Sequence, residues 1–119
     1  LNYKNFIERP AFFQCWANVM RKGEQIKPHL HDTGPHSYLS GHFCVQTEKT
    51  KTYYINPVNQ INEPEIFESL NEPGKLTFFQ NCLPHFTDTY DGDSERISIA
   101  FDISLDVETK SKLKSFRKF

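Results

Sequence analysis

Apolar and polar residues alternate with a period of two along most of this chain, the pattern of strands that bury one face. In Gln14 to Met20, Trp16, Asn18 and Met20 share one side, and Cys15, Ala17 and Val19 the other. Lys22-Gly23 reads as a turn. Ile26 to His31 is a short extended run, where Pro28 is tolerated only at an edge or a strand start. Ser37 to Thr47 is the longest strand candidate, and Thr52 to Ile55 is a shorter one rich in aromatic and β-branched residues. Asn56 to Gly74 is irregular, holds three prolines, and has room for one short strand or turn around Ile66-Phe67. Such a long connection in a small domain often borders a site. Glu72-Pro73-Gly74 turns into a strand over Lys75 to Gln80. Pro84 to Tyr90 and Arg96 to Ile103 read as a hairpin across Asp91-Gly92-Asp93. Residues from Val107 to about Lys118 suit a helix with Asp106 as its N-cap. About eight short strands and a terminal helix point to an all-β sandwich or jelly roll.

Length and charge narrow the classes. The 119 residues make one domain, 1–119, with its core over about 14–104 and a small interior. A net charge of -1 and a pI near 6.6 give no reason to expect nucleic acid or an anionic membrane as partner. The basic residues from Lys110 to Lys118 read as a solvated helix face. No apolar run is long enough to cross a bilayer and no signal peptide is visible, so a cytoplasmic location is expected. Cys15, Cys44 and Cys82 are an odd count without metal-knuckle spacing, and read as small buried hydrophobes in a reducing compartment. Eleven Phe, five Tyr and one Trp supply the core volume.

The candidate chemistry lies in three places. His29 and His31, in Pro28-His29-Leu30-His31, can point to one side of an extended segment. His85, directly after Pro84, can close a facial set of three imidazoles that leaves positions open on a first-row metal ion. Arg96 and Ser98 share a polar strand face with Ala100 and Asp102, opposite the apolar Ile97, Ile99, Phe101 and Ile103. If that face points inward, the Arg96 guanidinium can grip a carboxylate in bidentate fashion and Ser98 can add a donor. The bland alternative is a solvated arginine on an edge strand and histidines with ordinary hydrogen-bonded rings. The apolar face of the last strand then needs a cover, which the terminal helix or a second subunit could provide, so a homodimer is an expectation.

These pieces run in order with others: Trp16-Ala-Asn-Val-Met, Pro28-His-Leu-His, Ser40-Gly41, Gly74-Lys-Leu-Thr-Phe-Phe, Leu83-Pro84-His85 and Glu95-Arg-Ile-Ser-Ile-Ala-Phe-Asp-Ile. Together, over about residues 16–103, they resemble the small 2-oxoglutarate/Fe(II)-dependent oxygenases, a compact branch of the double-stranded β-helix superfamily. The resemblance implies a double-stranded β-helix (jelly roll) with an Fe(II) site at its mouth, where iron and 2-oxoglutarate oxidise a C–H bond of a small molecule or peptide side chain and release succinate and CO2. It implies His29, His31 and His85 as metal ligands, and Arg96 and Ser98 as the hold on the far carboxylate of 2-oxoglutarate. Asn18 and Tyr54 are further candidate donors to that cosubstrate, with packing the competing reading for Tyr54. The chain departs from the superfamily's usual His-x-Asp/Glu: His31 stands at the carboxylate position, and Asp32, one residue later, is the alternative ligand. His36 and His42 read as structural or near the rim.

Two rivals remain. A cupin-like metal protein without 2-oxoglutarate fits Gly23 followed by His29-x-His31, but lacks the expected glutamate and leaves Arg96-x-Ser98 without a purpose. A non-catalytic β-sandwich binding module needs no chemistry at all.

Overall fold

The structure, a computed structural model, describes residues 11–31, 34, 37–58 and 65–105, with the backbone of 117–118. It is all β, in eight strands: β1 Ala11–Met20, β2 Ser37–Gln46, β3 Lys51–Ile55, β4 Ile66–Leu70, β5 Leu76–Gln80, β6 His85–Thr87, β7 Arg96–Leu105 and β8 Arg117–Lys118. They form two antiparallel sheets, a major one in the order β5-β2-β7-β1-β8 and a minor one in the order β4-β3-β6. The sheets face each other: Phe79 of β5 packs on Tyr54 of β3 and His85 of β6, with ring centroids 5.3 and 4.5 Å apart. Gly23 and Gly74 make the expected turns with φ of 88° and 85°, a left-handed backbone that glycine adopts without penalty. Among the described residues no helix is long and apolar enough to cross a membrane.

Four expectations need correction. Pro84 to Tyr90 is not the hairpin partner of Arg96 to Ile103. The strand there, β6, pairs with β3 in the minor sheet, and β7 lies between β1 and β2 in the major one. The turn at Asp91-Gly92-Asp93 therefore carries the chain from one sheet to the other. Second, Ile26 to His31 forms no strand; its one ladder contact is an isolated bridge between His29 and His85. Third, residues 117–118 pair with Phe12 and Phe13 as an edge strand rather than ending a helix; the remainder of the expected helix lies outside the described residues. Fourth, only Cys44 is buried, whereas Cys15 and Cys82 are exposed free thiols.

The inward face of β7 organises the interior. Arg96, Ser98, Ala100 and Asp102 are all buried there. In register they oppose Met20, Asn18, Trp16 and Gln14 of β1, and Ser98, Ala100 and Asp102 also oppose Cys44, His42 and Ser40 of β2. The outward face is apolar and stays open at Val19, Ile99, Phe43, Leu76 and Phe78. Gly41 sits where a side chain has no room. A Cβ there would lie 2.3 Å from the Phe101 ring and 2.4 Å from the Thr77 carbonyl oxygen.

Buried polar residues outnumber buried apolar ones, eleven to seven, among the described residues. A structural core avoids that balance, because each buried polar group must find a partner. Five of the eleven, Thr52, His85, Thr87, Arg96 and Ser98, line one cavity between the sheets.

Candidate metal centre and cosubstrate pocket

The two histidine segments are brought together by backbone. His29 and His85 exchange both N–H···O bonds, each 3.1 Å, and the His31 N–H donates to the Asn81 carbonyl at 3.2 Å. A hydrogen-bonded antiparallel pair sets the side chains of His29 and His85 beside each other, and His31, two residues on, returns to the same face. The rings lie 4.3 Å (His29–His85), 5.0 Å (His31–His85) and 5.4 Å (His29–His31) apart. Trp16 and Phe79 wall His31 at 5.8 and 5.7 Å.

The hydrogen bonds fix which nitrogen of each ring is free. His29 Nδ1 donates to the Lys27 carbonyl at 2.9 Å, and His85 Nδ1 to the Leu83 carbonyl at 2.9 Å. His31 Nδ1 meets Asp102 Oδ1 at 2.5 Å. A carbonyl or carboxylate only accepts, so every Nδ1 is the donor and Nε2 is the atom of each ring left for a metal. This is how metal-binding histidines are held. One ligand atom from each of the three lies within 4.8 Å of the others. Two nitrogens on adjacent positions of one ion at about 2.1 Å lie about 3 Å apart, so the rings would draw together by up to roughly 1.8 Å to complete a facial set. Burial, opposed in part by the Leu83 hydrogen bond, pushes His85 down to about 4, so it is neutral near pH 7. Asp32 and His36 lie outside the described residues.

The second half of the site is Arg96. It is 2% exposed, in a central strand, which excludes the solvated edge position. Its Nη1 reaches Met20 Sδ at 3.3 Å and Ser98 Oγ at 3.5 Å, and its Nε has no partner. No carboxylate forms an ion pair with it among the described residues. Burial accordingly pushes the guanidinium below its ordinary value. Asp88 acts on it through space without forming an ion pair, and a buried cation with no direct partner is costly, so an anionic ligand is the natural remedy.

Arg96, Ser98, Asn18 and the three histidines line one cavity of about 130 Å³. That is well below the roughly 300 Å³ of a drug-sized pocket and on the scale of a small dicarboxylate. His42 also lines it, with its Nδ1 unpartnered and its Nε2 3.0 Å from the Tyr54 hydroxyl. Burial first, then the Arg96 charge, pushes His42 down to about 4. Tyr54 stands behind this histidine, outside the lining of the cavity, and burial raises its phenol to about 12. It borders instead a second cavity of about 460 Å³ with Phe67, Phe78 and Leu83; Phe79 faces both.

Asp102 and Ser40 escaped sequence reasoning. Ser40 Oγ donates to Asp102 Oδ1 at 2.6 Å, so the carboxylate behind His31 is itself tethered. The signal was present: Asp102 has the same strand parity as Arg96 and Ser98, so placing those two inside places it inside as well.

The fold is shared with known structures. An oxidoreductase of the 2OG-Fe(II) oxygenase family from Burkholderia pseudomallei superposes with a TM-score of 0.65, at 21% identity over 82% of this chain and 46% of that one. A Pseudomonas putida prolyl-4-hydroxylase gives 0.53, at 15% identity over 77% of this chain and 52% of that one. The capsular polysaccharide assembling protein CapF from Staphylococcus aureus gives 0.55, at 16% identity over 95% of this chain and 32% of that one. The chain thus spans about half the length of the first two and less of the third. No curated protein matches it in sequence. A family model described as "Putative 2OG-Fe(II) oxygenase" matches residues 14–102, from the first inward positions of β1 to the aspartate behind His31, and the chain therefore belongs to that family, whose cofactors are ferrous iron and 2-oxoglutarate.

Proposed function

We propose that this domain is a 2-oxoglutarate- and Fe(II)-dependent dioxygenase that hydroxylates a C–H bond of a small molecule or peptide side chain. One atom of O2 would enter the product, the other the succinate formed as 2-oxoglutarate loses CO2. The observation that carries the reading is the buried, unpaired Arg96 at one end of a small cavity that three available imidazole nitrogens border. A cupin-like metal protein would use the histidines but leave this cation uncompensated.

The Nε2 atoms of His29, His31 and His85 would hold the iron, which supplies the electron transfer and O2 chemistry that no side chain here provides. The protein's own work is placement. Lys27, Leu83 and Asp102 hold the three rings by Nδ1, which leaves Nε2 as the atom of each ring turned to the ion. Arg96 and the Ser98 hydroxyl would take the far carboxylate of 2-oxoglutarate, with Asn18 beside Ser98 in the ladder as a further donor. Ala100 and Gly41 also line the cavity, and their small size leaves its volume to a ligand. Trp16 and Phe79 pack on His31, and Phe79 also on His85. The larger apolar cavity beyond Phe79 is where the primary substrate would be sought.

The test is anaerobic. Fe(II) and then 2-oxoglutarate are added to the apoprotein, and the weak visible charge-transfer band of a 2-oxo acid chelated to ferrous iron is followed. The band is expected in the wild type, at higher 2-oxoglutarate in Arg96→Ala, and not in His85→Ala. Bound metal without the band would replace this reading by a metal protein that does not use 2-oxoglutarate.

A further inference from the structure

The ligand set proposed above consists of three neutral imidazoles, so on its own it leaves the full charge of a divalent ion uncompensated inside the protein. Asp102 stands one ring away. Its Oδ1 lies 2.5 Å from His31 Nδ1 and accepts the Ser40 hydroxyl at 2.6 Å. Asp102 is 9% exposed and Ser40 fully buried. His31 is the sole ion-pair partner of this carboxylate among the described residues, and no Lys or Arg reaches it. A carboxylate so placed carries a heavy desolvation cost unless positive charge lies near.

The two imbalances answer each other. We propose that Asp102, tethered by Ser40, supplies through the His31 ring the negative charge that the three-histidine centre lacks. It acts as a positioning and charge-compensating residue that touches neither metal nor cosubstrate. The inference rests on the metal centre of the proposed function. Its logic is a balance of charge within one interior. The divalent ion and Arg96 bring three positive charges. A 2-oxoglutarate dianion brings two negative ones, and no acidic side chain lines the cavity to add another. Asp102 offers a third at the histidine end, whereas Asp88 acts at the Arg96 end. The carboxylate missing from the His-x-His motif thus returns from β7, on the far nitrogen of the second histidine.

A purely structural role, in which Asp102 merely orients the ring, is separable from this one. Asp102→Asn keeps the shape and an oxygen that accepts from His31 and Ser40, and removes only the charge. Ser40→Ala keeps the charge and removes one of its donors, which leaves the carboxylate a stronger acceptor for His31. Fe(II) affinity is measured anaerobically by competition with a metal-binding dye, and the Fe(III)/Fe(II) midpoint potential by redox titration. Neither readout needs substrate or turnover. The expected result is a 10- to 100-fold weaker Fe(II) affinity in Asp102→Asn with a raised potential, because ferric iron needs the charge more. In Ser40→Ala the potential is expected at or below the wild-type value. Wild-type affinity and potential in Asp102→Asn would overturn the proposal, as would a raised potential in Ser40→Ala, which remains the test if the asparagine variant does not fold. A wild-type protein with no iron site sensitive to His85→Ala would instead remove the metal centre itself, and this inference with it.

Discussion

Replacing Arg96 by methionine should make the protein more stable while destroying its grip on 2-oxoglutarate. The guanidinium is 2% exposed, its Nε is unpartnered, and its nearest polar neighbours are a thioether at 3.3 Å and a hydroxyl at 3.5 Å. After relaxation, a lone buried charge still costs several kcal/mol. Methionine keeps much of the buried stem and adds no charge, and replacing buried ionic groups by apolar ones of similar volume is often stabilising by about 1–4 kcal/mol. For a chain of this size 1 kcal/mol moves Tm by about 4 °C, so the apoprotein should melt higher by roughly 4–16 °C. Ligand should raise the wild type alone. At 100 times its Kd, 2-oxoglutarate stabilises a specific site by about 2.7 kcal/mol, or roughly 11 °C, and that shift should appear in the Fe(II)-loaded wild type and vanish in Arg96→Met. Thermal unfolding of both proteins, with and without 2-oxoglutarate, reads all four values. An Arg96→Met apoprotein destabilised by more than about 1 kcal/mol would show that the arginine serves the fold, and a retained ligand shift would show that it does not hold the cosubstrate.

Other outcomes follow from single residues. Gly41→Ala should destabilise the fold by about 1–3 kcal/mol in denaturant titrations, since the new methyl meets the Thr77 backbone and the Phe101 ring. His42, neutral in the folded protein down to about pH 4 because it is buried beside Arg96, takes up its proton in the unfolded chain near its ordinary 6.5. Stability from this ring is complete above pH 6.5 and falls with pH through the window to about 4, by on the order of 3 kcal/mol; His42→Gln should lessen the acid loss in apoprotein melts by about that amount. His31→Ala and His85→Ala should each lower Fe(II) affinity at least 100-fold in equilibrium dialysis while leaving far-UV dichroism unchanged.

The strand pattern of this chain is plain because its strands bury one face and alternate cleanly. β1, β2 and β7 appear in the sequence almost at their full length, and the parity that sets Arg96 opposite Ile97 is the parity of the interior. Partnership is another matter. Alternation records which face a strand buries and nothing about the strand beside it, so β6 and β7 passed for a hairpin while lying in different sheets. A bulge in β2 between Ser37 and Leu39 has a similar effect: it puts Tyr38 out of step with His42, leaving the tyrosine half exposed and the histidine at the cavity. Cys15 is exposed because it has the outward parity of Ala17 and Val19. The clustering of His29, His31 and His85 was legible because two share one short segment and the third follows a proline at a strand start. The contact between His31 and Asp102 was not, since it depends on which strands β7 lies between. An aspartate in an alternating strand reads as a solvent-facing residue until its neighbours Arg96 and Ser98 are known to be inside.

The most direct measurement is crystallographic. Crystals grown without oxygen, with Fe(II) and 2-oxoglutarate, would be recorded at the iron absorption edge. The account predicts one iron peak bonded to Nε2 of His29, His31 and His85, with the far carboxylate of 2-oxoglutarate against Arg96 and Ser98. Iron bound elsewhere, or a guanidinium with no anion against it, would contradict it.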